Sequence, residues 1–91
     1  MQESSKNNID RLSMTAGRII EKHRKLQRKT VYSISAESSM RKSTWRNVEL
    51  GADARLSTLW KIAEGLDIDI LEIIKEIKQE LGSDFTLIDN E

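Results

Sequence analysis

The chain has 91 residues, contains neither cysteine nor proline, and carries as many lysines and arginines as aspartates and glutamates. A chain of this length buries only about 60 to 65% of its unfolded surface, so it supports one compact core and no second domain. The missing cysteines exclude disulfides and thiolate metal sites, and the scarcity of turn-forming residues favours an all-α fold with short loops. No apolar run resembles a signal peptide or could span a bilayer, so we expect a cytoplasmic protein.

Charge is unevenly distributed along the chain. Residues 1–50 have a formal charge of +6, and residues 51–91 have a formal charge of −6. Because salt confines the relevant field to roughly 8 to 10 Å, the basic half can attract a polyanion although the whole chain is neutral. Taken one by one, the acidic residues of the second half are more simply interpreted as solubilising charge. Any polyanion is therefore expected on the first half of the chain.

The first residues predict a flexible arm followed by a helix. Residues 1–10 are polar and unpatterned, which is typical of a flexible N-terminal arm. In residues 12–26, apolar side chains recur at spacings of three and four, which predicts a helix that buries one face. That face comprises Leu12, Ala16, Ile19, Ile20 and Leu26. The lone histidine, His23, also lies there, and packing at the core boundary is a more common role for it than metal binding or catalysis.

Residues 30–50 predict two short helices that meet at a sharp turn, which is a helix-turn-helix. Thr30 suits the N-cap of the first of them, helix two. A new apolar register that includes Trp45 and Val48 predicts helix three over residues 42–50. Trp45 is therefore expected in the core, with the opposite face of helix three turned outward.

The outward face of helix three combines long cationic side chains with hydrogen-bonding ones. Its members are Arg41, Lys42, Ser43, Arg46 and Asn47. Such side chains suit phosphates and base edges, so we expect this face to contact double-stranded DNA. The alternative is an ordinary solvated basic face, which is the more common role of basic helix residues.

The rest of the chain predicts two further helices and a tail. An apolar stripe over residues 56–65 indicates helix four, beside which Trp60 is expected to join the core rather than to anchor a partner. Asp69 suits the N-cap of helix five, whose apolar ladder is wider than a small core needs. One edge of this ladder is expected to close the core, and the other is a candidate dimer face. The ladder comprises Ile70, Ile73, Ile74, Ile77 and Leu81. Residues 11–81 are then the folded domain, and residues 82–91 an acidic C-terminal tail.

Four segments together give the chain a resemblance to a known family. They lie between Ala16 and about Ile74 and read GRIIEKHRK, TVYSISAESS, KSTWRNVELG and LSTLWKIAEGLDIDILEI. In these segments the chain resembles the Cro/C1-type, or XRE, family of phage-repressor-like helix-turn-helix transcriptional regulators. The resemblance implies a five-helix domain that binds DNA as a homodimer. It also implies that helices two and three form the helix-turn-helix and that helix three reads the major groove.

Carried over residue by residue, the family pattern implies a set of base contacts and one structural ion pair. The base contacts are assigned to Lys42, Ser43, Arg46 and Asn47, of which Arg46 can reach either a base or a phosphate. Phosphate contacts are expected from Arg28, Lys29, Thr30, Arg41 and Thr44, although Arg28 and Lys29 replace the glycine and apolar residue that the family usually has there. The ion pair is expected to join Arg24 of helix one to Glu49 at the end of helix three.

The chain departs from the family pattern at several positions. Ser39 stands in the turn where the family usually has glycine, so it is expected in a left-handed conformation unless the turn closes differently. Val31 stands where a glutamine often clamps a phosphate. The loop of residues 52–54 is short and acidic where family members tend to carry a lysine. These departures predict a modest affinity for phosphates.

Three classes of function stay open at this point. The first is a sequence-specific DNA-binding regulator that acts like a repressor. The second is a protein-interaction module of the same fold, such as an antitoxin-like partner or a repressor antagonist, that binds a protein through helix five. An enzyme is disfavoured and no cofactor is expected, because neither a metal cluster nor a nucleophile paired with a base is present. A basic face continuous with Arg28 and Lys29 favours DNA, whereas interruption by Glu37 and Asp53 favours a protein partner.

Overall fold

The computed structural model describes residues 2–88, which form five α-helices. They are α1 (Gln2–Leu26), α2 (Val31–Glu37), α3 (Lys42–Glu49), α4 (Leu56–Leu66) and α5 (Ile70–Leu81). The predicted all-α fold with five helices is confirmed. None of these helices combines the length and the hydropathy that crossing a membrane requires.

Helix α1 is longer than the sequence pattern predicted. It begins at Gln2, so the predicted start at residue 12 is wrong, and residues 2–10 are helical instead of lying outside the fold. Neither glycine nor proline interrupts this stretch. The Asn8 amide also donates a hydrogen bond of 2.8 Å to the carbonyl of Thr86, 78 residues away in sequence. A local pattern carries no sign of such a distant contact.

The segment that follows α5 packs against α1. Phe85 is half-buried, and the guanidinium carbon of Arg11 lies 5.3 Å from the centroid of its ring. This distance suits a cation–π contact between the two side chains. Of the predicted tail, Phe85 and Thr86 therefore contact α1, whereas residues 82–84, 87 and 88 are exposed. Residues 89–91 of the tail and Met1 of the predicted arm lie outside the described residues.

The core is built by apolar side chains from all five helices. The largest fully enclosed ones are Trp45, Ile20, Ile34, Ile62, Leu66 and Ile73. Leu26 and Trp60 were also predicted in the core, and both predictions are wrong because these side chains are 71% and 53% exposed. Leu26 ends α1, where no following turn shields it. Trp60 lies about 200° around α4 from the buried Ile62, so the two residues cannot share a face.

Charged side chains join α1 to α5. Lys22 Nζ lies 2.7 Å from Glu76 Oε1, and His23 Nε2 lies 2.8 Å from Glu76 Oε2. The hydrogen bond from Lys22, followed by the one with His23, holds the pKa of Glu76 below its ordinary value. His23 thus lies at the core boundary beside a carboxylate. In the described part of the chain, no three histidine, aspartate or glutamate side chains lie close enough together to bind a metal ion.

Two glycines allow pairs of helices to touch. A Cβ on Gly17 would collide with the carbonyl oxygens of Val48 and Glu49, so α1 passes directly over the end of α3. A Cβ on Gly65 would collide with the Ser38 side chain, so α4 lies directly against the end of α2. The first contact places α3 against α1, and the second places α2 against α4.

Helix α2 ends on a residue in the left-handed conformation. Ser39 has a φ of 53°, and its N–H donates to the Ala36 carbonyl at 3.3 Å. The N–H of Met40 donates to the Ser35 carbonyl at 2.9 Å. These two bonds satisfy the last carbonyls of α2 and turn the chain toward α3. Of the two outcomes expected for this turn, a left-handed Ser39 or a different closure, the structure shows the first.

The substitution Ser39→Gly is expected to stabilise the fold by about 0.5 to 1 kcal/mol. A left-handed residue other than glycine costs roughly 1 to 2 kcal/mol, and part of the gain is lost because glycine has more freedom in the unfolded chain. The control is Ala36→Gly on the exposed side of α2, which is expected to destabilise by about 0.5 to 1 kcal/mol. Urea denaturation measures both variants. A Ser39→Gly variant that is no more stable than the wild type contradicts the strain assigned to Ser39.

Candidate nucleic-acid interface

Helix α3 has a buried face and an exposed polar face. Trp45 and Val48 lie in the core, where they are 0% and 4% exposed. The four residues predicted to contact bases are all exposed: Lys42, Ser43, Arg46 and Asn47. Because the helical period is 3.6 residues, Ser43, Arg46 and Asn47 lie about 100° or more around the axis from both buried residues, whereas Lys42 is exposed in the first turn, about 60° from Trp45. The helix therefore presents cationic and amide groups together on one accessible surface.

The start of α3 is open to an anion. Arg41 is its N-cap residue, and no side chain caps the first turn. The first backbone N–H groups of a helix point outward and carry a partial positive charge. Arg41 and Lys42 add two full charges at the same end. This end can therefore bind a phosphate without any rearrangement of the helix.

The predicted ion pair between Arg24 and Glu49 is present and bidentate. Arg24 Nε lies 2.7 Å from Glu49 Oε2, and Arg24 Nη2 lies 3.0 Å from Glu49 Oε1. The side chains are only 12% and 7% exposed. The hydrogen bonding that Arg24 donates to the Glu49 carboxylate raises the pKa of Arg24 above its ordinary value, so the guanidinium is a fixed charge.

Two further groups complete this arrangement, and sequence reasoning missed both. The Trp45 indole N–H donates to Glu49 Oε2 at 2.6 Å, and Arg24 Nη1 donates to the Lys29 carbonyl at 2.9 Å. The four-residue spacing between Trp45 and Glu49 is a signal that could have indicated the first contact. Together, the four groups connect α1, the loop between α1 and α2, and the buried face of α3. They therefore fix the direction in which the exposed face of α3 points.

The predicted phosphate contacts lie in different environments. Arg28 and Arg41 are exposed, whereas Thr44 is half-buried. Thr30 caps α2, because its Oγ1 accepts a hydrogen bond of 3.1 Å from the N–H of Ser33. The predicted N-cap of helix two is thus confirmed.

Acidic residues border the basic face on two sides. Glu37 Oε1 lies 2.8 Å from Lys29 Nζ, so part of the charge expected for DNA is neutralised within the protein. Asp53 lines a shallow hollow of about 340 Å³ together with Thr44 and Asn47. The centre of the face is different, because its cations form no ion pair with any residue among 7–88. These cations are Arg41, Lys42 and Arg46.

The candidate dimer face on α5 is only partly accessible in the single chain. Ile73, Ile77 and Leu81 are 1%, 4% and 9% exposed and belong to the core, because α1 packs along this side of α5. Ile70 is half-buried, and only Ile74 of the predicted set is exposed. The width of the apolar ladder indicated a second binding surface besides the core, but α1 covers most of the ladder.

Comparisons of this chain with protein-family models, with curated proteins and with solved structures found no match.

The substitution Arg24→Ala is expected to lower the free energy of unfolding by about 3 to 5 kcal/mol, because it leaves the Glu49 carboxylate buried without a cation. The matched control is Lys25→Ala, which removes the next cation on α1. Its pair with Glu21 at 3.2 Å is exposed, so a loss of about 0 to 1 kcal/mol is expected. Chemical denaturation measures both variants. Equal losses for the two variants contradict the structural role of the buried pair.

Proposed function

We propose that the protein is a sequence-specific regulator of transcription that binds double-stranded DNA through a phage-repressor-like helix-turn-helix formed by α2 and α3. The observation that carries this proposal is the exposed face of α3. Lys42, Arg46 and Asn47 lie there, opposite a buried face that an ion pair holds in place. A rigidly held helix with such side chains fits the major groove, which is about 12 Å wide.

The chemistry of this face sets the bases it can read. Lys42 and Arg46 donate to O6 and N7 of guanine, and Asn47 can pair with N6 and N7 of adenine. Ser43 donates or accepts and so tolerates more than one base. We therefore propose a half-site that contains guanine opposite Lys42 or Arg46 and adenine opposite Asn47.

Contacts with the DNA backbone are proposed around the two helix starts. Arg41 and the uncapped first turn of α3 provide one phosphate site, and Arg28 with Thr30 provides another beside α2. Lys29 contributes less because Glu37 competes with the phosphate for its ammonium group. The resulting affinity depends on salt but less steeply than for a strongly basic protein.

A homodimer is part of the proposal. One recognition helix reads only a few base pairs, and two helices about 34 Å apart read both halves of a palindromic site. On α5, Leu71 is 71% exposed and Ile74 is also accessible, so these side chains are available to a second subunit. Occupation of the operator by such a dimer is a sufficient means of repression, with no additional domain.

A protein-interaction module is the second candidate function. Two observations favour it: Glu37 and Asp53 border the basic face, and Trp60 is 53% exposed and borders a hollow with Ile70 and Leu71. Aromatic side chains of this kind are common anchors of protein interfaces. In this alternative, a protein partner covers the α4 and α5 side of the molecule, and the basic face of α3 has no ligand of its own.

A triple variant in which Lys42, Arg46 and Asn47 become alanine is expected to lose DNA binding by at least about 100-fold, because each base contact contributes roughly 1 to 3 kcal/mol. The measurement is the fluorescence anisotropy of labelled duplexes from the region upstream of the protein's own gene. Titrations at about 50 and 200 mM salt give the electrostatic part of the affinity. We expect the variant to lose sequence preference together with affinity.

The control variant changes two cations and one amide on other surfaces. Lys61, Lys75 and Gln79 are exposed on α4 and α5, and replacing all three with alanine removes the same charge. Its DNA affinity is expected to stay within about threefold of that of the wild type, because salt screens exposed charges beyond roughly 10 Å. Equal losses for the two variants, or no binding by the wild type, contradict recognition through α3 and favour the second candidate.

A further inference from the structure

A half-open apolar hollow of about 400 Å³ lies between α4 and the start of α5. Trp60 and Leu71 border it from the two helices and are 53% and 71% exposed. Ile68 and Ile70 continue the apolar wall. Every residue that lines the hollow belongs to α4, to α5 or to the loop between them. The hollow is therefore separate from the proposed DNA surface on α2 and α3.

The exposure of its wall indicates what kind of ligand covers the hollow. Single exposed apolar residues are ordinary, but two large ones that border the same hollow form the kind of patch that proteins use for binding. A cavity of roughly 150 Å³ accommodates benzene, so the hollow accommodates two side chains of about that size. Because Trp60 and Leu71 are each more than half exposed, their ligand has to extend along the surface. A protein segment meets this condition.

The charged residues around the hollow are all acidic. Residues 62–74 contain four carboxylates and neither lysine nor arginine. All four are exposed, and none forms an ion pair within the stretch from residue 7 to residue 88. They are Glu64, Asp67, Asp69 and Glu72. Two of them, Glu64 and Asp69, line the hollow itself, so its negative charge is available to a cationic partner.

Trp60 adds a second preference for a cation. The face of an indole ring attracts a lysine or arginine within about 6 Å of its centroid. Glu64 lies four residues further along α4, which places its carboxylate on the same side of the helix as the ring. One cation can therefore contact the ring and pair with Glu64 at the same time. An apolar neighbour of that cation then has the hollow beside Leu71 to fill.

The same charges disfavour a second copy of this chain in the hollow. In a symmetric dimer both subunits use the same surface, so the carboxylates of the two copies would meet. Like charges brought together at an interface are costly. Leu71 also belongs to the side of α5 that is available to a second subunit. Trp60 and Glu64 lie outside that side and are therefore the residues that can test the hollow.

We propose that the hollow between α4 and α5 docks a segment of a different protein that presents an apolar side chain next to a lysine or arginine. The apolar side chain lies against Ile68 and Leu71, and the cation lies over Trp60 beside Glu64. This docking does not depend on DNA binding, because none of these residues belongs to α2 or α3.

The probe is a helical peptide of about 15 residues with leucine along one face and lysine on both sides of that face. A second peptide has glutamate at every lysine position. The full chain, labelled with ¹⁵N, is titrated with each peptide, and amide shifts give both the affinity and the location of binding.

Two variants of the hollow have matched controls elsewhere. Trp60→Ala removes the exposed ring, and Tyr32→Ala removes the exposed ring of α2. Glu64→Lys reverses a charge in the hollow, and Asp84→Lys makes the same change in charge beyond the far end of α5. All four side chains are exposed, so none of these substitutions is expected to unfold the chain.

We expect saturable shifts at residues 60–71 and at least tenfold tighter binding of the lysine peptide than of the glutamate peptide, because like charges at an interface are costly. Trp60→Ala is expected to weaken binding of the lysine peptide at least tenfold, as for a central aromatic anchor. Glu64→Lys is expected to weaken it about fivefold. Both controls are expected to bind within about twofold of the wild type.

Four results would overturn the proposal: no saturable shifts, shifts located elsewhere, equal binding of the two peptides, or wild-type affinity in Trp60→Ala. Self-association is a fifth. If the chain alone shows concentration-dependent shifts at residues 60–71 and sediments as a dimer, the hollow belongs to a second copy and not to a different protein.

Discussion

The buried ion pair between Arg24 and Glu49 is the interaction on which the rest of the structure depends. Two charges that are 12% and 7% exposed are stable in a small core only when their hydrogen bonds are satisfied. The Trp45 indole and the Lys29 carbonyl supply those bonds. The pair consequently holds α1, α3 and the loop before α2 in a single arrangement. Gly17 reinforces it, because the missing Cβ lets α1 touch the end of α3.

The proposed function depends on the direction in which this arrangement turns α3. The buried face takes Trp45 into the core, and the opposite face is left with Lys42 and Arg46 in solvent. The overall charge of zero does not prevent these cations from attracting DNA, because salt limits the influence of the acidic half to nearby residues. The Glu37 carboxylate is a closer competitor, since it already binds Lys29. We therefore propose that base contacts, which give sequence specificity, contribute more to DNA recognition than phosphate contacts do.

The sequence predicted the parts of the fold that depend on local pattern. Helices α2 to α5 and the Thr30 cap follow from spacing and residue type. The Arg24–Glu49 pair followed from the family resemblance, and comparison with the family left open whether Ser39 is left-handed or the turn closes differently. Contacts between distant residues were not predictable in this way. The helical residues 2–10, the exposure of Trp60 and the choice of the α5 edge that is buried all depend on which element packs beside them.

The most direct test of recognition by α3 is a map of the DNA-bound protein by amide chemical shifts. We predict that a duplex containing the preferred site shifts the amides of α3 and of the start of α2, and leaves those around Trp60 and Leu71 unchanged apart from any effect of dimer formation on α5. The largest changes are expected at Ser43, Arg46 and Asn47, where side chains meet base edges. Shifts confined to α4 and α5, with α3 unaffected, would contradict the account.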